Sequence, residues 1–294
     1  MIEKISDTLR AVFTDDGFLF SNSMFINDSI TLVIDSGCGK ILNSIDPESI
    51  DILLNSHAHL DHIDGNDRFR KAKILMHPLE KEALKHPDKI TASESWDELM
   101  HENTGGKAFQ ISLINPKVNS IWRADGLLSE GQVIDCGKTK IEILHTPGHT
   151  PGHLSFFFPN ENTVFSGDIC LTKVGPWYGD TETEIDDFIK SIDRIIELKP
   201  EKLITGHITY LVTEGITEKL IEYRDRIYRR EENIFNFIKG NPSTIDEIAL
   251  KKFIYGVHPN NFVLYWEKSM VIKHLKKLIK SGRINMDGSN KFFS

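Results

Sequence analysis

Two features of the sequence predict a layered α/β fold that ends in a small helical region. Up to residue 212, short apolar, β-branched runs alternate with turns and a few helical stretches; beyond it the spacing becomes helical and the net charge changes sign. A chain of 294 residues with 39% hydrophobic and 27% charged content can bury a full core, which excludes a disordered chain. No window approaches the roughly 18 uninterrupted apolar residues of a membrane span, and residues 1–10 carry acids where a secretion signal is basic and then apolar. The expectation is a cytoplasmic protein with no membrane partner.

The elements follow in order. Strands are predicted at 29–34, 50–54, 72–76, 140–144, 154–158, 163–165 and 202–204, each a short apolar run bounded by turn residues. Helices fit 78–86, 93–102 and 184–198; the last is apolar at Phe188, Ile192, Ile195 and Ile196, with an acidic first turn. Residues 214–239 then read as a long periodic helix, 243–255 opens with a capping box in Ser243-Thr244-Ile245-Asp246-Glu247, and 268–280 is a third helix stopped by Gly282. Residues 283–293 fit a hairpin turning at Asp287-Gly288, so the tail has the order of a small winged helix.

Charge divides at the same place. Residues 1–212 hold 20 basic and 33 acidic side chains and residues 213–294 hold 15 and 10, a net of −13 against +5. This places a domain boundary near Val212, giving domains 1–212 and 213–294, and lends the tail a mild attraction for anions; solvated helix faces account for the shift equally well. Cys38, Cys136 and Cys170 are too few and too scattered for a disulfide framework or a thiolate zinc cage, and read as small buried apolar residues.

The chemistry concentrates in Asn55-Ser56-His57-Ala58-His59-Leu60-Asp61-His62-Ile63-Asp64-Gly65. His57 and His59 are two apart directly after a strand, so an extended backbone projects both from one face, toward one ion. Asp61 and His62 follow where a helix starts, and the change of period turns them toward a neighbouring point, where a second ion would sit. Three further residues each follow a predicted strand through a glycine: His149 in Thr146-Pro147-Gly148-His149, Asp168 in Ser166-Gly167-Asp168, and His207 in Thr205-Gly206-His207. Singly each is an ordinary turn residue; beside the first motif they read as a convergent ligand set. Imidazole and carboxylate at this density suit zinc or a similar first-row metal, whereas calcium and magnesium sites are dominated by oxygen.

The motif resembles the HxHxDH signature of the metallo-beta-lactamase superfamily, matched in full by His57, His59, Asp61 and His62, and the resemblance extends over most of residues 1–212. It implies an αββα sandwich with the site at the edge between two β-sheets. It further implies two zinc ions, with iron or manganese as alternatives: His57, His59 and His149 on the first, Asp61, His62 and His207 on the second, and Asp168 bridging. Asp35, in Ile34-Asp35-Ser36-Gly37, would orient a ligand imidazole from behind, and His153 is expected to support the site in the same way. Two such ions share a water whose pKa falls from about 15.7 toward about 7, giving a hydroxide nucleophile that Asp61 orients or relieves of a proton. The class implied is a metal-dependent hydrolase.

Substrate is less legible. Zinc β-lactamases with a cysteine in the second site carry it where this chain has Asp168; flavodiiron proteins typically carry Glu at the position of His59, and quorum-sensing lactonases place a tyrosine where Ile169-Cys170-Leu171 stands. Hydroxyacylglutathione hydrolases match all seven ligands, which favours a small-molecule thioester or related ester. The tail, with Arg226-Ile227-Tyr228-Arg229-Arg230-Glu231, His274-Leu275-Lys276-Lys277-Leu278 and Gly282-Arg283-Ile284, looks like the lactamase-β-like protein 2 branch, some members of which cleave single-stranded RNA. RNA is therefore the alternative substrate, although the acidic body and few clustered aromatics argue against a general nucleic-acid binder. A non-catalytic winged-helix module on a metal scaffold is the third reading. The tail would otherwise wall the cleft or form a homodimer contact, and Trp177 and Tyr178 are candidate cleft-lining residues.

Overall fold

The computed structural model of the chain describes residues 1–17, 20–85 and 123–294, and the helix expected at 93–102 lies outside them. Among the described residues two sheets stack face to face. The first runs in chain order: β1 (Ile2–Lys4), β2 (Leu9–Val12), β3 (Ser23–Asn27), β4 (Thr31–Ile34), β5 (Ile52–Leu54), β6 (Lys73–Met76) and β7 (Gly126–Leu127). Its first four strands pair antiparallel, and β4 to β7 pair parallel, in register Leu32↔Ile52 and Leu54↔Leu75. The second sheet holds β8 (Val133–Asp135), β9 (Lys140–His145), β10 (Leu154–Phe158), β11 (Thr163–Phe165) and β12 (Lys202–Ile204) in the order β12-β11-β10-β9-β8, with only β11 and β12 parallel.

The apolar runs are continuous because both faces of these strands are covered. Leu32, Ile34, Leu54 and Leu75 from the first sheet meet Ile141, Ile143, Phe156, Phe165 and Ile204 from the second in one cluster between the sheets. The residues between them in sequence point the other way. Val33, Leu53 and Ile74 pack outward with Leu42, Ile45 and Phe69. Leu144, Val164 and Leu203 pack against helices. Those helices are α3 (Ile185–Leu198), α4 (Ile216–Gly240) and α6 (Asn261–Lys280); the short α1 (Leu60–Ile63) and α2 (Pro78–Ala83) precede them, and α5 (Ile245–Ala249) sits between α4 and α6. The chain thus has the expected layered α/β class, and no helix among the described residues is long and apolar enough to cross a membrane.

Several boundaries differ from expectation. The strands β1 to β3, β7 and β8 lie outside the predicted runs: β1, β7 and β8 are only two or three residues long, whereas β2 and β3, with Leu9, Ala11 and Val12 and with Met24, Phe25 and Ile26, are as apolar as the predicted ones. The helix expected over 243–255 stops at Ala249: its capping box is formed by Thr244 and Glu247, and the amides of Ile254 and Tyr255 are taken instead by the buried Glu267 carboxylate at 3.1 and 2.9 Å. Helix α6 begins seven residues before the expected start, at Asn261, where Asn260 Oδ1 accepts from the Val263 amide at 3.0 Å. The hairpin β13 (Asn285–Met286) and β14 (Phe292–Phe293) turns through 287–291, where the Asp287 carboxylate accepts from the Ser289 and Lys291 amides. All three cysteines are buried, and burial pushes the Cys136 and Cys170 thiols up to about 11 and about 12.

Phe165 is fully buried between the sheets, so Phe165→Ala is expected to cost about 3–5 kcal/mol, whereas Val133→Ala, at a residue 56% exposed, should stay within about 0.5 kcal/mol. Equilibrium urea unfolding of the two variants measures both.

Candidate metal centre

The loops that leave the C-terminal ends of β4, β5, β11 and β12, with the loop after β9, meet at one edge of the sandwich. Beyond β5 the chain bends at Ser56 ahead of His57, and His59, with an extended backbone, is the N-cap of α1, which carries Asp61 and His62. Asp35 follows β4, His149 follows β9, Asp168 follows β11 and His207 follows β12. Backbone bonds tie these loops together across the sheets: Leu154 N to Ser56 O at 2.9 Å, Ser21 N to Asp61 O at 3.2 Å, and Gly206 N to Gly167 O at 2.7 Å. Gly206 is required by this proximity, since a Cβ there would lie 2.6 Å from Asp168 Oδ1.

All seven expected ligands converge. Their donor atoms form three groups, His57-His59-His149, His57-His62-Asp168 and Asp61-His62-His207, each with atoms within 4.8 Å of one another. Asp168 divides its oxygens between them. Its Oδ1 lies 3.1 Å from His62 Nε2 and 3.2 Å from His207 Nε2, while Oδ2 lies 3.2 Å from His149 Nε2. His149 Nε2 is 2.9 Å from His59 Nδ1, and Asp61 Oδ2 is 3.4 Å from His207 Nε2. His57 and His62 are fully buried, and Asp61 is the more open of the two carboxylates, at 31% side-chain exposure against 9% for Asp168.

The outward nitrogens of four rings have partners that turn the other nitrogen inward. His207 Nδ1 donates to the Gly17 carbonyl at 2.8 Å, and His149 Nδ1 to the Trp177 carbonyl at 3.2 Å. His62 Nδ1 faces Asp35 Oδ2 at 2.7 Å, and His57 Nδ1 lies 3.0 Å from Ser56 Oγ, which donates to that same carboxylate at 2.7 Å. Asp35 holds this place at φ +56, a left-handed backbone that aims its carboxylate at both Ser56 and His62. His153 lies behind the cluster, its Nε2 accepting from the Asp168 amide at 2.9 Å.

These donors fit a cation pair. His57 Nε2, His62 Nε2 and Asp168 Oδ1 are buried without a satisfied hydrogen bond, although Asp168 Oδ1 lies 3.1 Å from His62 Nε2, and buried polar atoms in that state are costly. Nitrogen and carboxylate donors in this proportion suit zinc, iron or manganese. Electrostatics follow the same division. Burial holds His57, His59 and His149 below the ordinary imidazole range, favouring the neutral, ligating form. For His62 and His207 burial acts in the same direction but is outweighed, chiefly by Asp168, so that His62 stands well above that range and His207 at about 9. Burial likewise opposes the Asp168 charge, yet His207, His149 and His62 hold its carboxyl well below the usual range.

The two cleft candidates part company. The Trp177 ring centroid lies 5.2 Å from that of His149 and 5.8 Å from that of His59, beside the site. Tyr178 does not face it: the side chain is fully buried, with its hydroxyl 2.7 Å from His274 Nε2 and accepting from Arg230 at 3.1 Å, because adjacent residues of an extended segment point to opposite sides.

A sequence profile described as the metallo-beta-lactamase superfamily matches residues 16–207. The chain belongs to the metallo-beta-lactamase superfamily. A beta-lactamase-like protein 2 homolog of Drosophila melanogaster is 28% identical over 165 residues, 55% of this chain and 53% of that protein. The human acyl-coenzyme A thioesterase MBLAC2 is 26% identical over 171 residues, 55% of this chain and 57% of that protein, so the chain spans little more than half the length of either relative. The crystal structure of a superfamily protein from Thermus thermophilus superposes with a TM-score of 0.72 at 19% identity, covering 99% of both chains, a likeness of fold.

Sequence reasoning missed one residue that joins the histidine loops. Glu80, on α2 and 2% exposed, accepts from the Ala58 amide at 2.8 Å, Thr150 Oγ1 at 2.7 Å and the Gly152 amide at 2.9 Å, bridging the loop of His57 and His59 to that of His149. Only its place in the first turn of a helix marks it in sequence. Burial pushes its carboxyl up to about 7, against the pull of those three donors. Glu80→Gln keeps the shape but turns an amide NH2 toward a donor, and should cost about 1–3 kcal/mol. Because the folded pKa is the raised one, the wild-type contribution is complete below the unfolded value near 4.5 and is lost as pH rises through about 7. Gln cannot ionise, so the stability gap between the two proteins should narrow from pH 5 to pH 8.5, as urea unfolding at both pH values would read.

Proposed function

We propose that this chain is a metal-dependent hydrolase of small-molecule acyl thioesters or related esters. The observation that carries the reading is the convergence of seven nitrogen and carboxylate donors, three of their atoms buried without a satisfied hydrogen bond, at one edge of the sandwich. His57, His59 and His149 would hold one zinc, Asp61, His62 and His207 a second, and Asp168 both, with iron or manganese as alternatives. Cations so held supply Lewis acidity toward a carbonyl oxygen and lower the pKa of water toward neutrality, the two requirements of ester hydrolysis at pH 7. The protein side of the reaction belongs to its own groups. Asp35, through Ser56 and His62, and the Gly17 and Trp177 carbonyls fix the ring orientations. Asp61, the most open carboxylate, is the group to hold or take a proton from the attacking water, and Trp177 walls the substrate side.

Two considerations favour an acyl substrate over RNA. The human relative is named for acyl-coenzyme A thioesters. Five of the fifteen basic residues of the tail are also committed within the protein: Arg226 to backbone carbonyls, Arg230 to the chain interior, Arg229 to Glu222, Lys277 to Asp186 and Arg283 to Glu232. A phosphate-binding face needs such groups free. On this reading residues 1–212 carry the metal site and residues 213–294 brace its wall.

Metal analysis and activity together test the assignment. His59→Ala and Asp168→Ala should each lose bound metal and turnover of acyl-coenzyme A thioesters while keeping a native circular dichroism spectrum. Full thioesterase activity in both variants, or cleavage of single-stranded RNA without any thioesterase activity in the wild type, would reject it.

A further inference from the structure

The segment that follows Asp168, residues 172–178, lies between the candidate metal centre and helix α4. On the helix side, Arg226 Nη1 donates to the Thr172 and Lys173 carbonyls at 3.2 and 2.5 Å. One turn on, Arg230 donates to the Val174 and Pro176 carbonyls, both at 2.6 Å, and to the Tyr178 hydroxyl at 3.1 Å. On the site side, the Trp177 carbonyl accepts from His149 Nδ1, and the Trp177 ring packs against His149 and His59.

Arg230 is out of place for packing alone. The buried stripe of α4 runs Ile216, Leu220, Tyr223, Ile227, Arg230, Ile234, Ile238, at the spacing of an apolar helix face, and Arg230 is 4% exposed within it. A buried guanidinium costs free energy that an apolar residue there would not, unless its donors are matched by well-placed acceptors. Here they are spent on a stretch of irregular backbone. Gly175, at φ +100, lets that backbone come close: a Cβ would lie 3.0 Å from both Arg226 Cδ and Arg230 Nη2. The planar, forked guanidinium holds the carbonyls on either side of Gly175 at once, which a lysine ammonium on a flexible stem does less well.

The consequence reaches the centre through one hydrogen bond. A carbonyl oxygen only accepts, so the Trp177 carbonyl fixes the His149 proton on Nδ1 and leaves the Nε2 lone pair toward Asp168 and His59. We propose that Arg230 is a positioning residue for His149, acting through the backbone of residues 174–178, so that helix α4 sets the geometry of one half of the metal centre. This rests on the reading of His149 as a metal ligand.

Cobalt(II) titration of the full chain, stripped with chelator beforehand, tests it, because the visible spectrum of bound cobalt reports ligand geometry and not stability. Wild type and Arg229→Ala, a change on the same helix at an exposed residue paired with Glu222, should take up cobalt alike. Arg230→Ala should bind one equivalent several-fold more weakly with a changed spectrum, short of the about 10–100-fold that losing a ligand's direct outer partner costs, and Arg230→Lys should fall between. Should Arg230→Ala not fold, Arg230→Lys is read by the same criterion. Wild-type cobalt affinity and spectrum in the Arg230 variants, even with a lowered melting temperature, overturn the positioning role alone. A wild-type chain that takes up no cobalt overturns the reading of the site, and this proposal with it.

Discussion

Five imidazoles and two carboxylates crowded into a mostly buried space are costly to hold together, and much of this architecture serves to keep the rings in that position. His57 and His62 sit at 0% exposure with no hydrogen bond at Nε2, His62 Nε2 having only the Asp168 carboxylate 3.1 Å away. The restraint comes from behind each ring: the Asp35 and Ser56 pair, the Gly17 carbonyl and the Trp177 carbonyl. These partners in turn belong to strands and loops of both sheets and to a segment gripped by helix α4. A sandwich edge suits the task because neighbouring strand ends deliver side chains from distant parts of the chain to one place, while the strands themselves are locked by pairing.

The metal motif was legible because its residues are close in sequence. His57, His59, Asp61 and His62 lie within six positions, where strand and helix periods alone determine where side chains point, and the glycine before each of His149, Asp168 and His207 marks a turn. The apolar strands were legible for a related reason: burial on both faces leaves uninterrupted runs. Features that depend on tertiary approach were not. Nothing near Glu80 in sequence says that Ala58, Thr150 and Gly152 will bring it three donors, and nothing near Glu267 says that it will take the amides that would have lengthened α5.

The basic run of α4 shows the same limit in sharper form. Arg226, Arg229 and Arg230 read in sequence as a positive cluster, yet the helical period sends them to different surroundings. Arg229 reaches solvent and Glu222, while Arg226 and Arg230 turn toward the segment behind the metal centre. Composition reports that charge is present; only the fold reports whether it is spent.

Packing on the second sheet bears on the life of the chain outside its native state. The outward residues Leu144, Val164 and Leu203 share a single apolar cluster with Leu220, Ile227, Leu275 and Leu278 from α4 and α6. Helices α4 and α6 follow both sheets in the chain, so until they arrive the outward face of the second sheet is covered only in part, by α3, and its marginal strand β12 is guarded only by the bridge from Val212 to Leu203. Such a surface invites self-association, and the helical tail therefore acts as a built-in shield whose late docking sets the period of greatest aggregation risk.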